Sequence, residues 1–439
     1  MNLSKQRISK TEIVSETGVV TAMHPLAAQA GAEVLAQSGN AADAAIATAF
    51  AIGVVEPAFS GIGGTAYAVA YDSSRQSTTC FDGTAVAPAG ATADMFPLDL
   101  ERERAGLYGW PATRNDAAET GGSSVVAPTA IAALAKLHAW MGSKPWEELL
   151  EPAIHLASEG FPVDEQLFAQ TALSESRLRS FPDAMAVFFR SDGTPLVPSL
   201  AGEKGDVLRQ PDLARTLRLL AKEGPDIFYR GPIGKEIAAH VRFAGGVLTE
   251  EDMAGYEALS SDPLSVDYRG LELRFLPGSS GSPTVAIALR VLEGLAMANL
   301  EQADPQRLFL LAEALRLAFV QRFRELGAHL ERGERLEELL SEAAVDALRA
   351  RIDRKGRCMS EETLQATGST SADAPGQHTT HLNVVDRNRS MVTLTATLGG
   401  RFGSGVVVPR HGIVLNNGLM WFDPEPGRPQ SIAPGKRAL

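Results

Sequence analysis

The sequence predicts an α+β fold, on three observations. Two alanine-rich helical stretches run straight into a pair of strand-like segments. A long helical region follows, and the most strand-like sequence of the chain comes late. The opening stretch, HPLAAQAGAEVLAQSGNAADAAIATAFAIGVVEP, reads as two helices divided at Ser38-Gly39-Asn40, where the Gly-Asn pair suits a C-cap followed by an N-cap. Helices so poor in charge and rich in alanine must pack closely on other elements. Glu56 before Pro57 reads as a turn residue, and Asp43 as a structural hydrogen-bond partner. Gly61-Ile62-Gly63-Gly64 then leads into the strand TAYAVAYD, with a second strand in STTCFDGTAVAP. That glycine run precedes a strand rather than following one, so it is not a dinucleotide fingerprint.

From about Ser124 to Leu220 the pattern is helical, punctuated by Pro, Gly and Asp at 192–196 and 224–232. A strand is expected over 267–276, then a helix from Thr284 to Ala298, and amphipathic helices over 307–325 and 333–354. After Cys358 the composition changes. Positions 360–377, SEETLQATGSTSADAPGQ, have little to bury and read as a flexible linker. The strand sequence TTHLNVVDRNRSMVTLTATLG follows at once.

Composition narrows the function. The 439 residues carry 41 Lys and Arg against 53 Asp and Glu, a net charge of −12, with no basic stripe interleaved with aromatics. A nucleic-acid partner is therefore not expected. Two cysteines, Cys80 and Cys358, do not make a disulfide scaffold, and the eight histidines are scattered, so no metal or other cofactor is expected. The longest apolar run, Ala44 to Val55, is too short to span a bilayer, and the polar N-terminus lacks a signal-peptide core. A cytoplasmic protein without a membrane partner is the expectation.

Residues 379–397 read as a hairpin turning on Asp386-Arg387-Asn388-Arg389-Ser390. With Asn388 at the centre, Thr397 falls across from Thr379 and Thr395 across from His381. Thr393, Thr395 and Thr397 then share one face, and Val392, Leu394 and Ala396 the other. One face belongs on a core and the other is available. A threonine at the first position of a strand, after a slack linker, is what a self-cleaving N-terminal nucleophile requires. Its hydroxyl attacks the preceding carbonyl, and hydrolysis of the resulting ester frees an α-amine whose pKa of about 7.7–8.0 suits a general base. The same placement also describes an ordinary strand-edge threonine, with His378 and His381 as surface residues.

A set of motifs adds to this: HPLA at 24–27, GNAADAA at 39–45, VVEPAFSGIGG at 54–64, FDGTAVAPAGATADMF at 81–96 and EGFPV at 159–163. It continues with FYRGPIG at 228–234, GGVLTEEDMAGY at 245–256, DYRG at 267–270, SSG at 279–281 and EALRLAF at 313–319. TTHLNVVD at 379–386, FGSG at 402–405 and GIVLNN at 412–417 complete it. In this order the chain resembles the gamma-glutamyltransferase family, whose proenzymes cut themselves before a catalytic threonine. The resemblance implies an N-terminal nucleophile hydrolase fold, a four-layer αββα sandwich. Residues 1–378 would form a large-subunit-like region, with sandwich helices and strands over 18–100, a mostly helical part over 124–358 and the linker over 360–377. Residues 379–439 would begin the small subunit, and the two fragments would stay associated. Cleavage falls between His378 and Thr379. Thr379 is the implied nucleophile, Thr397 the threonine that hydrogen-bonds it, and His381 a structural residue. The implied reaction passes the acyl group of a small amide or gamma-glutamyl-type substrate to Thr379, then to water or an amine.

Several positions depart from the family pattern. Thr84 stands where the arginine that clamps the glutamate α-carboxylate is expected, and a hydroxyl cannot replace that bidentate contact. Gly399 stands for an asparagine, and Gly418 and Trp421 replace the glutamine and the amine-gripping aspartate. All four are implied substrate-binding positions, with Ser279 and Ser280 lining the same pocket. Their joint change points away from an amino-acid head group, toward a dicarboxylic monoamide or an acylated beta-lactam. The segment APGKRAL resembles the approach to the family's Ser-Ser element, which, with the later Gly-Gly of the oxyanion hole, is not in these 439 residues. An inactive homologue with a structural role is the non-enzymatic alternative. The loop Gly278-Ser279-Ser280-Gly281-Ser282 lies between a strand and a helix but fails the G-x-S-x-G pattern of a serine nucleophile elbow.

Overall fold

The computed structural model describes residues 12–102, 109–199, 202–278, 280–297, 299–322, 325, 332–352 and 377–438. Cys358, Ser279 and the expected linker up to position 376 lie outside the described residues. The chain opens with strand β1 (Gly18–Thr21) and helices α1 (Pro25–Ala36) and α2 (Ala41–Val55), followed by β2 (Thr65–Asp72) and β3 (Ser77–Asp82). Helices α3 (Ala130–Met141), α4 (Trp146–Glu159), α5 (Glu165–Leu173) and α6 (Pro211–Glu223) come next. Strands β4 (Leu259–Ser261), β5 (Leu264–Tyr268) and β6 (Leu271–Phe275) lead to α7 (Ser282–Glu293), α8 (Pro305–Gln321), α9 (Arg332–Leu340) and α10 (Glu342–Ala350). The late hairpin is β7 (Gln377–Asp386) and β8 (Met391–Gly400).

The hairpin sits inside a six-stranded antiparallel sheet of order β1-β7-β8-β2-β3-β4. Leu382, Val384, Val392, Leu394 and Ala396 face the core with Ala66, Ala68 and Ala70 of β2, all buried against the layer of α1 to α4. That layer lies close because the side chains are small. At Gly31 of α1 an added Cβ would fall on Thr48 Oγ1 and the Ala44 carbonyl of α2, so only glycine permits this approach. Asn40 caps α2 as expected, in a capping box with Asp43, whose carboxylate also accepts the Ser143 and Lys144 backbone N–H groups. The left-handed residue between the helices is Ser38, with φ +66°, rather than the glycine beside it. Helices α7 to α10 enclose a separate apolar cluster around Ile287, Val291, Leu317 and Val345. No helix among the described residues is long and apolar enough to cross a membrane.

The structure corrects several expected elements. The segment read as one strand over 267–276 is the β5–β6 hairpin, because Arg269 and Gly270 both take positive φ and reverse the chain as a two-residue turn. The helix expected to reach Ala298 stops at Glu293, before Gly294. The long charged helix over 333–354 breaks at Ser341, whose hydroxyl caps α10 through the Ala344 N–H. The late hairpin keeps the expected register from Met391 opposite Val385 to Ala396 opposite Thr380 and then shifts, pairing Gly399 with His378.

Candidate active site

The register shift decides how Thr379 meets β8. Between the Ala396–Thr380 and Gly399–His378 pairs, β8 has two residues where β7 has one, so the bulge Thr397-Leu398 opposes Thr379. The expected one-to-one pairing of Thr397 with Thr379 is therefore replaced by a bulge that re-aims both side chains. Thr379 and Thr397 line one cavity of about 650 Å³, together with Ser280, Trp421, His381 and Arg322. Thr393 and Thr395 line it as well, so the threonine face of β8 is its floor, while Val392 and Leu394 point into the core.

Hydrogen bonds hold the bulge from several directions. Thr397 Oγ1 accepts the Gly399 N–H at 2.9 Å. The Leu398 N–H donates to the Phe59 carbonyl at 2.8 Å, and Phe402 N–H to the Ala58 carbonyl at 2.8 Å. Asn417 Oδ1 accepts the Gly400 N–H at 2.8 Å, and its amide donates to the Glu119 carbonyl at 2.9 Å. Asn416 donates to the Gly63 and Val126 carbonyls and accepts from Gly418 N–H. The two asparagines of GIVLNN thus clamp the end of β8 and the loop leading into β2. The Arg177 guanidinium donates to the Arg401 and Gly403 carbonyls and fixes the loop beyond β8.

On the opposite face of β7, Thr380 is fully buried, and its hydroxyl donates to Glu56 Oε2 at 3.0 Å. Glu56 caps the end of α2 and is only 6% exposed. Burial pushes its carboxyl up to about 7, against the pull of the Thr380 hydrogen bond and with a further push from the Asp164 charge. His381, on the cavity side, bonds Thr395 Oγ1 through Nδ1 at 2.8 Å and Thr393 Oγ1 through Nε2 at 3.0 Å, so it braces the threonine face.

The remaining sequence-derived positions scatter. Trp421 and Ser280 reach the cavity, with Ser280 Oγ accepting the Ser282 N–H at 3.1 Å. Thr84 does not line it. It is fully buried, its N–H bonded to Asp82 Oδ1 at 2.8 Å and its carbonyl to the Tyr256 hydroxyl at 3.0 Å. Gly418 is packed on Val126 and Ala85, so the space a side chain would need there is already filled. Gly399, with φ +97°, lies against Asn417. His378 is placed by its backbone pairing with Gly399. Sequence reading missed Glu56 and the two asparagines as supports of the site, and Arg322 on its wall. For Glu56, the only signal was an acidic residue ending a helix whose one other charge is the capping Asp43.

The gamma-glutamyltranspeptidase family model matches residues 27–439. The chain belongs to this family. Among curated relatives of this gamma-glutamyltranspeptidase homologue, the glutathione hydrolase proenzyme of Bacillus subtilis (strain 168) is 32% identical over 439 residues, covering 97% of this chain and 72% of that protein. Acylase ACY 1 proenzyme of Pseudomonas sp. (strain SE83) is 34% identical over 428 residues, covering 96% of this chain and 72% of the relative. Among solved structures, cephalosporin acylase from Bacillus halodurans superposes with a TM-score of 0.80 at 28% identity, covering all of this chain and 76% of that one. Gamma-glutamyltranspeptidase of Helicobacter pylori gives 0.70 at 26% identity, covering 84% of this chain and 99% of that one. The α+β fold is therefore that of gamma-glutamyltranspeptidases and cephalosporin acylases, and family members are amide-cleaving enzymes made as proenzymes.

Proposed function

We propose that this family member cuts its own chain between His378 and Thr379 and then uses Thr379 as the nucleophile of an amidohydrolase or acyltransferase. The observation that carries the reading is the bulge, which brings Thr379 and Thr397 to one cavity at the head of a central strand. In maturation the Thr379 hydroxyl adds to the His378 carbonyl carbon, and the C–N bond breaks as nitrogen takes the proton. The resulting ester is hydrolysed, leaving a carboxylate on His378 and an amine on Thr379. In turnover that amine takes the hydroxyl proton as Oγ attacks the substrate carbonyl, and it returns the proton to the leaving nitrogen. Water or an amine then cleaves the acyl-threonine ester. A cytoplasmic site of action is part of the proposal.

For the acyl group, the composition of the cavity favours a second reading over a gamma-glutamyl donor. Trp421 offers an apolar wall, and Thr84 is buried away from the cavity, so no side chain at either position grips a zwitterionic head. The similarity to acylases as well as to glutathione hydrolases supports a non-glutamyl amide, such as a dicarboxylic monoamide or an acylated beta-lactam. The test is intact mass spectrometry of the folded protein during incubation. Two fragments are expected, the second beginning with Thr379, and Thr379→Ala should give neither cleavage nor turnover. Cleavage or hydrolysis at the normal rate in Thr379→Ala would show that another residue attacks.

A further inference from the structure

The start of β7 is the least supported part of the central sheet. On one side its neighbour β1 pairs from Gly18–Asp386 only as far as Thr21–Asn383, so residues 379–382 have no described strand partner there. On the other side the ladder to β8 is interrupted opposite Thr379 by the Thr397-Leu398 bulge. Some other group must fix the residue that would attack. The turn at 56–60 touches both flanks of the gap. Glu56 Oε2 takes the Thr380 hydroxyl at 3.0 Å, and the Phe59 carbonyl takes the Leu398 N–H at 2.8 Å. The turn is itself rigid. Glu56 N–H bonds the Ile52 carbonyl at 2.8 Å, and its own carbonyl accepts the Phe59 N–H at 3.0 Å.

We propose that Glu56 is a positioning residue for the reaction, a buried carboxyl that sets Thr379 against Thr397 by holding Thr380 on one side of the bulge while its own turn holds Leu398 on the other. It touches neither substrate nor the reacting atoms, and the proposal rests on Thr379 being the reacting residue. The geometry makes the clasp sensitive to pH. Among the described residues the charged group that acts on Glu56 is Asp164, at the N-cap of α5, whose Oδ2 lies 3.8 Å from Nε2 of His24, at the N-cap of α1. Burial pushes His24 down, so it does not supply a cation at neutral pH. Asp164 adds a repelling charge, and Glu56 keeps its proton up to about pH 7. Any local opening that wets Glu56 lets it ionise at its ordinary value. The clasp is therefore tightest where the buried carboxyl is neutral, and it loosens as pH rises from the ordinary glutamate range to about 7.

Hydrogen exchange of the full-length chain, corrected for the intrinsic pH dependence of exchange, tests this on peptides covering 379–382 and 398–400. Wild-type protection should fall more than tenfold between pH 5 and 7 and then level off, while peptides of α7 to α10 stay constant. Glu56→Gln should remove that slope. Thr380→Val should extend it to higher pH, because the hydrogen bond that favours the carboxylate is gone. In parallel, cleavage before Thr379 should slow at least tenfold in Glu56→Ala with the far-UV circular dichroism unchanged, whereas Glu56→Gln, which keeps a neutral acceptor for the Thr380 hydroxyl, should restore it to near the wild-type rate. An unaltered exchange slope in Glu56→Gln, or cleavage at the wild-type rate in Glu56→Ala, overturns the assignment. A wild-type chain that never cleaves would instead sink the role of Thr379, with the exchange slope still deciding that of Glu56.

Discussion

Substituting Gly399 by alanine should damage the site through the backbone, and the size of the damage follows from two contacts. Gly399 has φ +97°, a conformation that costs a residue with a Cβ about 1–3 kcal/mol. The added Cβ would also fall on Asn417 Oδ1, which accepts the Gly400 N–H at 2.8 Å. Moving Asn417 aside leaves a half-buried N–H without its acceptor, a loss of about 1–3 kcal/mol. The sum is roughly 4 kcal/mol, and asparagine at this position meets the same two obstacles. Gly427 isolates the first contribution. Its φ is +80°, and a Cβ there would meet nothing within 4 Å, so Gly427→Ala should cost only the backbone strain. Urea unfolding followed by tryptophan fluorescence supplies the comparison. With an m-value of about 2–3 kcal/mol/M, Gly399→Ala should lower the midpoint by about 1–2 M and Gly427→Ala by about half of that. Adding Asn417→Ala to Gly399→Ala should cost less than the two single changes together, because the collision is then removed. Equal losses at the two glycines, with strict additivity at Asn417, would refute the argument.

Thr397→Ala should leave the fold intact and slow both cleavage and turnover about 5- to 150-fold, the kinetic equivalent of ~1–3 kcal/mol for one oriented hydrogen bond, read from single-turnover rates. Replacing Glu56 by Gln should also change how stability depends on pH. The Glu56 carboxyl is raised from 4.5 to about 7 on folding, so its contribution is greatest below pH 4.5 and declines as pH rises to about 7. That decline, on the order of 3 kcal/mol at most, should vanish from the unfolding midpoints of Glu56→Gln. For the acyl group, kcat/KM for a gamma-glutamyl anilide should not exceed that for a glutaryl anilide by more than ~100-fold, or ~2.7 kcal/mol. A larger preference would reveal a grip on the amino-acid head from groups other than those at positions 84 and 421, such as Arg322 on the cavity wall.

Periodic features were readable from the sequence, and features that break a period were not. The alternation of Val392, Leu394 and Ala396 with three threonines fixed the two faces of β8, and the turn residues around Asn388 fixed the register through Ala396. The bulge escaped because Thr397-Leu398 continues the same alternation, and only the backbone at Gly399 marks the shift. Arg269 hid the β5–β6 turn because arginine rarely takes positive φ. The Glu56–Thr380 bond joins residues 324 positions apart, so local pattern could not suggest it. Thr379 stood out as a candidate because strand position and chemistry coincide there, whereas the parts given to Thr397 and Thr84 came with the family resemblance; the structure brings the first of these two to the cavity and not the second.

The strand order carries a consequence for assembly. The β7–β8 hairpin is not appended to the edge of the sheet but inserted between β1 and β2, both of which belong to the part of the chain before His378. Asp386 adds a further tie, accepting the Ala41 N–H at the start of α2 at 3.1 Å and the Ser390 N–H of its own turn at 3.0 Å. A chain cut before Thr379 would therefore travel as a single particle through gel filtration and separate only in denaturant. On the proposed cut, either piece alone would lack the partner needed to close the sheet, so the uninterrupted polypeptide would act as its own assembly template, with the scission as a finishing step.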